Sequence, residues 1–275
     1  MSQILSLPKS KNRYAYAFYA TDHAYAIAVL VFVRLLQRLG VRRDVDLLLL
    51  HLPLPRQLLT KMRGLGMLTA EVPALPYINS PYYRHCLVKL RIFQLTQYDC
   101  VIFVDADAMP LKRLDDLFAI AFDGPVAAPS AYWLPQPYWC SSLLLVRPSL
   151  VNWRRVARHF ISASAGGIFD MEIINTEFGS EICTLPASVF CLNSEWEDAE
   201  RPGFFGAFDE TYSRVSVVHF TALGKPWFYS TDRVRRLRPK AHPIFYELWE
   251  AWRRTRDELF LARNRREPRG NHAVA

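Results

Sequence analysis

Two carboxylates one residue apart, Asp105 and Asp107, follow the apolar run Val101-Ile-Phe-Val104. They offer hard oxygen ligands at the end of a buried strand, a set that suits Mg²⁺ or Mn²⁺ held against a diphosphate. The spacing serves a plainer arrangement equally well, with Asp105 ending the strand and Asp107 capping the next segment. His219 lies inside a second apolar strand, Val217-Val-His-Phe220. Viewed alone, such a histidine is more often a hydrogen-bonded core residue than a ligand. Joined to two carboxylates, its imidazole would favour Mn²⁺, because it is the softer donor. Lys225, between Gly224 and Pro226-Trp227, has the chemistry to set a point charge on a phosphate as a leaving group develops charge. The alternative is an ordinary lysine of a surface loop.

The surrounding pattern alternates strands with helices. Strands are expected over Tyr14–Ala20, Val45–His51, Leu68–Val72 and Cys100–Val104. Between them, Thr21-Asp22 can cap a helix from about Ala24 to Leu39, and further helices are expected over Gln57–Gly64, Arg84–Gln94 and from Leu114. Such alternation implies a mainly parallel sheet covered on both faces, which binds ligands beyond the carboxyl ends of its strands. Asp105, Asp107 and the Thr21-Asp22 turn fall at such ends. Beyond Pro125 the strands shorten, as in Ser142–Val146 and Ser216–Phe220, and the topology should become mixed. A basic, aromatic helix is expected over Pro243–Arg266, fraying into Pro268-Arg269-Gly270.

Composition bounds the functions these residues can serve. The chain has 275 residues, 51% of them hydrophobic and 13% aromatic, enough for a sizeable core. Its longest apolar stretch, Ala24–Val33, is too short to span a bilayer, and Met1–Asn12 lacks the pattern of a signal peptide. Cys86, Cys100, Cys140, Cys183 and Cys191 have neither CxxC spacing nor an even count. They read as reduced thiols of a cytoplasmic protein. The formal charge of +8 invites a polyanion as partner. Yet residues 233–269 carry twelve Lys/Arg against five Asp/Glu, a net of +7, so the body is close to neutral.

The segment Lys89-Leu-Arg-Ile-Phe-Gln-Leu-Thr-Gln-Tyr-Asp-Cys-Val-Ile-Phe-Val-Asp105-Ala106-Asp107, continuing to Leu114-Asp-Asp-Leu-Phe118, closely resembles glycosyltransferase family 8, the glycogenin-like enzymes. His219-Phe-Thr-Ala-Leu-Gly224-Lys225-Pro-Trp227 matches the family's H-F…K-P-W element. Partial matches in the same order are Tyr19-Ala-Thr21-Asp22-His-Ala-Tyr25, Asp170-Met-Glu-Ile-Ile-Asn175 and Leu185-Pro186. Together they span about residues 14–228, and they turn the reading of His219 from core residue to ligand.

The resemblance implies a GT-A fold: a nucleotide-binding α/β half over about 12–125 and a mixed acceptor-binding half over about 126–232. Residues 1–232 would form one catalytic domain and 233–275 a basic helical tail. It implies retaining transfer of a hexosyl group from a UDP-sugar to a separate acceptor, with Asp105, Asp107 and His219 holding Mn²⁺, or Mg²⁺, on the diphosphate. Lys225 would contact that diphosphate and Gly224 would let backbone approach it. Thr21, Asp22 and Tyr25 would line the uridine, with Tyr25 stacked on uracil or, alternatively, a buried helix residue. Lys89 and Ser141 would lie near the donor sugar, Ala106 would offer backbone alone, and Asp170 would sit beside the transferred sugar as the second catalytic candidate with Lys225.

The chain also departs from the family's pattern. Met171 stands where the family has glutamine, with Glu172 as a partial replacement, and Cys140 stands where it has asparagine. Between Pro186 and Glu210 there is no tyrosine of the kind that glycogenin glucosylates, and Tyr212 is poorly placed. These changes fall where donor and acceptor identity are set, and the phrasing is closer to fungal and plant relatives that use glucose, N-acetylglucosamine or glucuronic acid donors. The acceptor is expected to be a glycan, lipid or small molecule. Competing readings are a sugar-nucleotide-binding protein without transfer activity and a tail-borne binder. The tail's Arg235-Arg-Leu-Arg-Pro-Lys240 and Trp249…Trp252 suit peripheral contact with an anionic membrane better than nucleic acid; the plainer account has both tryptophans packing a helix on the body.

Overall fold

The computed structural model describes residues 7–75, 87–160, 168–201 and 203–261. Strands β1 (Tyr14–Ala20), β2 (Val45–His51), β3 (Leu68–Glu71) and β4 (Cys100–Val104) stand side by side in the order β3-β2-β1-β4, all parallel. Their near-continuous apolar runs are what burial on both faces demands. In β1, Tyr16, Phe18 and Ala20 join one hydrophobic core while Ala15 and Ala17 join the other; Ile102 and Val104 of β4 likewise oppose Val101 and Phe103.

Past β5 (Ala108–Pro110), β6 (Val126–Pro129) and β7 (Leu143–Val146) the direction reverses. β7 pairs antiparallel with β4, β6 antiparallel with β7, and β8 (Cys183–Leu185) parallel with β6. A small second sheet places β10 (Val217–His219) between β5, antiparallel, and β9 (Phe190–Leu192), parallel. This is the expected mixed second half.

Helices cover both faces. Over the first core lie α1 (His23–Leu39) and, beyond it, α2 (Arg56–Gly64). Asp22 caps α1, its Oδ1 accepting from the backbone of Ala24 and Tyr25 at 2.8 and 3.0 Å. Over the second core lie α3 (Leu150–Ala157) and α4 (Asp170–Phe178), through Trp153, Val156, Ile173, Ile174 and Phe178. The helix expected over Arg84–Gln94 is a 3₁₀ helix, Leu87–Gln94, with residues 84–86 outside the described range. All eight of its residues are buried, so it has no solvent face to give it an amphipathic period. The helix expected from Leu114 is likewise a short 3₁₀ turn, Asp115–Ala119.

The first core also takes the chain's last elements: α5 (Phe208–Arg214), α6 (Thr231–Leu237) and α7 (Pro243–Leu261). Trp249 and Trp252 of α7 are fully buried in that core, next to α1. The expected extension to Arg266 and the Pro268-Arg269-Gly270 end lie outside the described residues. Arginines of this region stay at the surface, several in ion pairs: Arg235 with Glu250, Arg238 with Glu197 and Arg256 with Asp257.

Candidate active site

The register of the small sheet assembles the carboxylate–imidazole group. Asp105 continues β4, its amide donating to Ser142 O at 2.9 Å. Ala108 on β5 lies opposite His219 on β10, and Phe220 N donates to Asp107 O at 3.0 Å. His219 Nε2 therefore comes 3.0 Å from Asp107 Oδ1. One ligand atom each from Asp105, Asp107 and His219 lies within 4.8 Å of the others. Both aspartates are nearly closed off from solvent.

Lys89, carried inward by the buried 3₁₀ helix, is 3% exposed. Its ammonium sits 2.9 and 3.0 Å from the two oxygens of Asp105 and 2.7 Å from Asp170 Oδ2. Burial alone would strip its proton, but the two carboxylates outweigh it and hold the ammonium charged. Burial also pushes the Asp105 carboxyl up, with Lys89 only partly compensating. Asp170 opens α4, where the helix N-terminus favours a negative charge, and accepts a hydrogen bond from the Ser141 hydroxyl. Asn175, one turn further on, clasps the segment that carries Ser141: its Oδ1 accepts from Trp139 N at 2.9 Å and its Nδ2 donates to Trp139 O at 2.8 Å.

The loop after β10 is wound the other way. Leu223 and Gly224 have φ values of 60° and 82°, left-handed geometry that costs a non-glycine residue energy. A Cβ on Gly224 would meet only ordinary contact, Phe228 at 3.5 Å. The structure shows this glycine supplying turn conformation. Asn193 shapes the same loop, its Oδ1 accepting from Thr221 N and Ala222 N at 2.8 and 2.9 Å. From this loop Lys225 reaches Asp107 Oδ2 at 2.6 Å and Phe220 O at 2.7 Å. Burial opposes ionisation of Asp107, yet His219 and Lys225 more than offset it and hold that carboxyl well below the usual range. Helix α7 braces the loop from behind: Arg253 donates to Pro226 O and Tyr229 O at 3.1 and 2.8 Å, and Trp249 Nε1 to Tyr229 O at 3.0 Å.

These groups share a cleft of about 360 Å³ that Tyr19, Tyr25, Lys89, Asp105, Asp107, Ser141, Asp170, Met171, Glu172, His219 and Lys225 help to line. Tyr25 is half-buried with its ring edge-on to Trp227, centroids 5.3 Å apart. Thr21, Asp22, Ala106 and Gly224 do not line this cleft, and Asp22 uses one carboxylate oxygen to cap α1. Glu172 is partly committed as well: Oε2 accepts from Phe169 N at 3.0 Å, which closes the first turn of α4.

The donor set fits a divalent cation. His219 Nε2 is buried and, despite its distance to Asp107, makes no hydrogen bond among the described residues. The ring nitrogen is satisfied by what it takes up there, a proton shared with Asp107 or a metal ion, and the two carboxylates favour either. The charges agree: among the described residues Asp105, Asp107 and Asp170 pair with Lys89 and Lys225, one positive charge short before the imidazole is counted.

Tyr19, Trp133, Leu192 and Thr221 also line the cleft and were not among the expected site residues. Tyr19 carried a usable signal, being next to last on a parallel strand whose carboxyl end faces the cleft. Burial and the nearby Asp105 push its phenol well above the ordinary value. Trp133 and Thr221 had no such signal, because loops bring them in.

No family model matches the chain. It is 28% identical over 263 residues to glucose N-acetyltransferase 1 of Aspergillus fumigatus, covering 81% of this chain and 67% of that protein. Rabbit (Oryctolagus cuniculus) glycogenin-1 is also 28% identical over 263 residues, covering 86% and 74%. UDP-glucuronate:xylan alpha-glucuronosyltransferase 2 of Arabidopsis thaliana is 27% identical over 243 residues, covering 84% and 38%. The chain thus spans between roughly two fifths and three quarters of these relatives' lengths. Among solved structures, the bifunctional glycosyltransferase WbbM superposes with a TM-score of 0.68 at 14% identity, over 90% of this chain and 50% of that one. An active-site mutant of LgtC does so with 0.60 at 16%, over 86% and 99%. The fold is GT-A, and the resemblance to glycogenin-like proteins, fungal ones among them, is borne out.

Proposed function

We propose that this chain is a metal-dependent, retaining glycosyltransferase that moves a hexosyl group from a UDP-sugar to a separate acceptor. One observation carries the reading: Asp105, Asp107 and His219 converge within 4.8 Å beyond the end of the inner parallel strand, with Lys225 on one side and the Lys89–Asp170 pair on the other. The sugar-transferring relatives support the reaction class.

Asp105, Asp107 and His219 would hold Mn²⁺ or Mg²⁺, which when bound supplies positive charge to the diphosphate and eases the departure of UDP. Lys225 adds a second positive charge to the same phosphates from a loop whose shape is fixed by Asn193 and α7. Asp170, paired with Lys89 and oriented by Ser141, would face the transferred sugar, where a carboxylate bonds hydroxyls or supports charge developing at the anomeric carbon. Tyr25 offers a ring to the uracil; Thr21, Asp22, Ala106 and Gly224 contribute from the loops around the nucleotide. Met171 and Cys140, where the family has an amide at both positions, leave donor hydroxyls to be read by other groups.

The deciding measurement is turnover of a UDP-sugar panel with Mn²⁺ by the wild type and by Asp107→Ala and His219→Ala. Turnover that both variants keep would falsify the metal assignment. Tight UDP binding with no turnover of any donor would replace a transferase by a nucleotide-sugar-binding protein.

A further inference from the structure

Helix α4 meets the catalytic cleft end-on. Phe169, Asp170, Met171 and Glu172 are consecutive, and all four line the cleft. A helix lying along the cleft would present only every third or fourth residue to it. The free amides of a helix N-terminus attract anions, but here the chain's own carboxylates take that place. Asp170 opens the helix, and Glu172 folds back on it, Oε2 accepting from Phe169 N at 3.0 Å. That bond fixes the half-buried Glu172 side chain and keeps its charge at the cleft wall.

The cations at hand are committed elsewhere. Among the described residues that line the cleft, Lys89 and Lys225 are the only lysines or arginines. An ammonium has three N–H groups, and that of Lys89 faces both oxygens of Asp105 and Oδ2 of Asp170. Lys225 is held by Asp107 and Phe220 O. Neither pairs with Glu172. A further carboxylate drawn from water into this space would meet one fixed like charge and no free cation, and an unpaired charge is costly to bury. A neutral sugar meets the reverse, because the second oxygen of Glu172 is an acceptor for its hydroxyls.

We propose that Glu172 is a specificity residue that reads hydroxyls of the transferred sugar and excludes sugars bearing a carboxylate, so that the donor is a neutral UDP-hexose and not a UDP-hexuronate. This rests on the sugar-transfer reading of the cleft and narrows the donor within it. The relatives leave the point open, since one of them is named for UDP-glucuronate.

The test measures binding of UDP-glucose and UDP-glucuronate, and of UDP-galactose and UDP-galacturonate, by calorimetry with Mn²⁺ present, and follows their turnover in parallel. Each pair differs only at C6, so its affinity ratio isolates the added charge. In at least one pair the wild type should prefer the neutral donor by about 10²-fold, the scale of two like charges about 6 Å apart near a protein surface. Glu172→Gln keeps an oxygen for Phe169 N but removes the charge, so the preference should shrink about tenfold or more. Glu172→Asp keeps the charge and should retain most of the preference. UDP has no sugar and should bind all three proteins alike, which also reports that they are folded. Equal affinities within both pairs, a preference for the uronate, or a preference that Glu172→Gln leaves intact overturns the inference. Turnover of a uronate donor as fast as its neutral partner defeats this inference alone. A Glu172-dependent preference in binding with no turnover of any donor defeats the transfer reading and leaves the charge filter standing.

Discussion

Helix α4 begins in one charge cluster and ends in another, and the two use similar groups to opposite effect. At its first residue, Asp170 shares the buried Lys89 with Asp105. In its last turn, Glu177 is met by Arg155 at 2.8 Å, Arg158 at 3.1 Å and His159 at 2.7 Å, and Arg155 also pairs with Glu181. At the far end burial of Glu177 is more than offset by Arg155 and His159, so its carboxyl is held below the ordinary range. At the near end Asp105 is pushed up and His219 keeps an unbonded nitrogen. The outer cluster is complete as it stands and ties α4 to α3. Among the described residues the inner one is short of positive charge, a deficit that supports the proposal of a cation there.

The sharpest way to break the contrast is to remove the inner ligands. Asp107→Ala or His219→Ala should lower Mn²⁺ affinity by about 10²-fold or more, read by calorimetry with and without UDP. Unaltered affinity would make the inner cluster a structural one like the outer.

Next in size is stability. Lys89→Met strands two buried carboxylates and should cost about 3–5 kcal/mol in urea unfolding. Arg155→Met, a change in a part-exposed network with other cations remaining, should cost only about 1 kcal/mol. Equal costs would erase the distinction.

A smaller effect is the acid limb. Because the Glu177 pKa is depressed by folding, its stabilisation is present above the unfolded glutamate value of about 4.3 and lost as pH falls through the folded value. Glu177→Gln should therefore flatten the loss of stability below about pH 4.3. Urea midpoints taken on the acid side and near neutrality test this, and an unchanged slope contradicts it.

The smallest readout is thiol labelling. Cys140, beside the inner cluster, is 1% exposed and its thiol is pushed up to about 12 by burial. Cys183, just past the outer cluster, is half-buried. Peptide mapping after brief iodoacetamide treatment under mildly alkaline conditions should find Cys183 modified and Cys140 intact until the chain unfolds.

Much of this was legible in the sequence, for a physical reason. Asp105 and Asp107 follow an apolar strand and His219 lies inside one, where polar groups need partners; the family resemblance then turns His219 from core residue to ligand candidate. The two-sided burial of β1 and β4 follows from the same uninterrupted runs. What could not be read was set by distant neighbours. Lys89 looked like a sugar contact, but its two carboxylates lie 16 and 81 residues away in sequence and only the sheet brings them together. Trp133 has no period to announce it. One letter cannot tell that Gly224 takes a left-handed φ, or that Glu172, besides lining the cleft, accepts from Phe169 N at the helix start.

The packing of α7 changes how the gene should be cut. The basic stretch begins after the Lys225-Pro-Trp element, so a truncation at codon 232 looks harmless on paper. It would delete Trp249, Trp252 and Arg253, and with them the support of the loop that aims Lys225. Expression clones should keep every codon to at least 261, and a fusion tag belongs beyond that point.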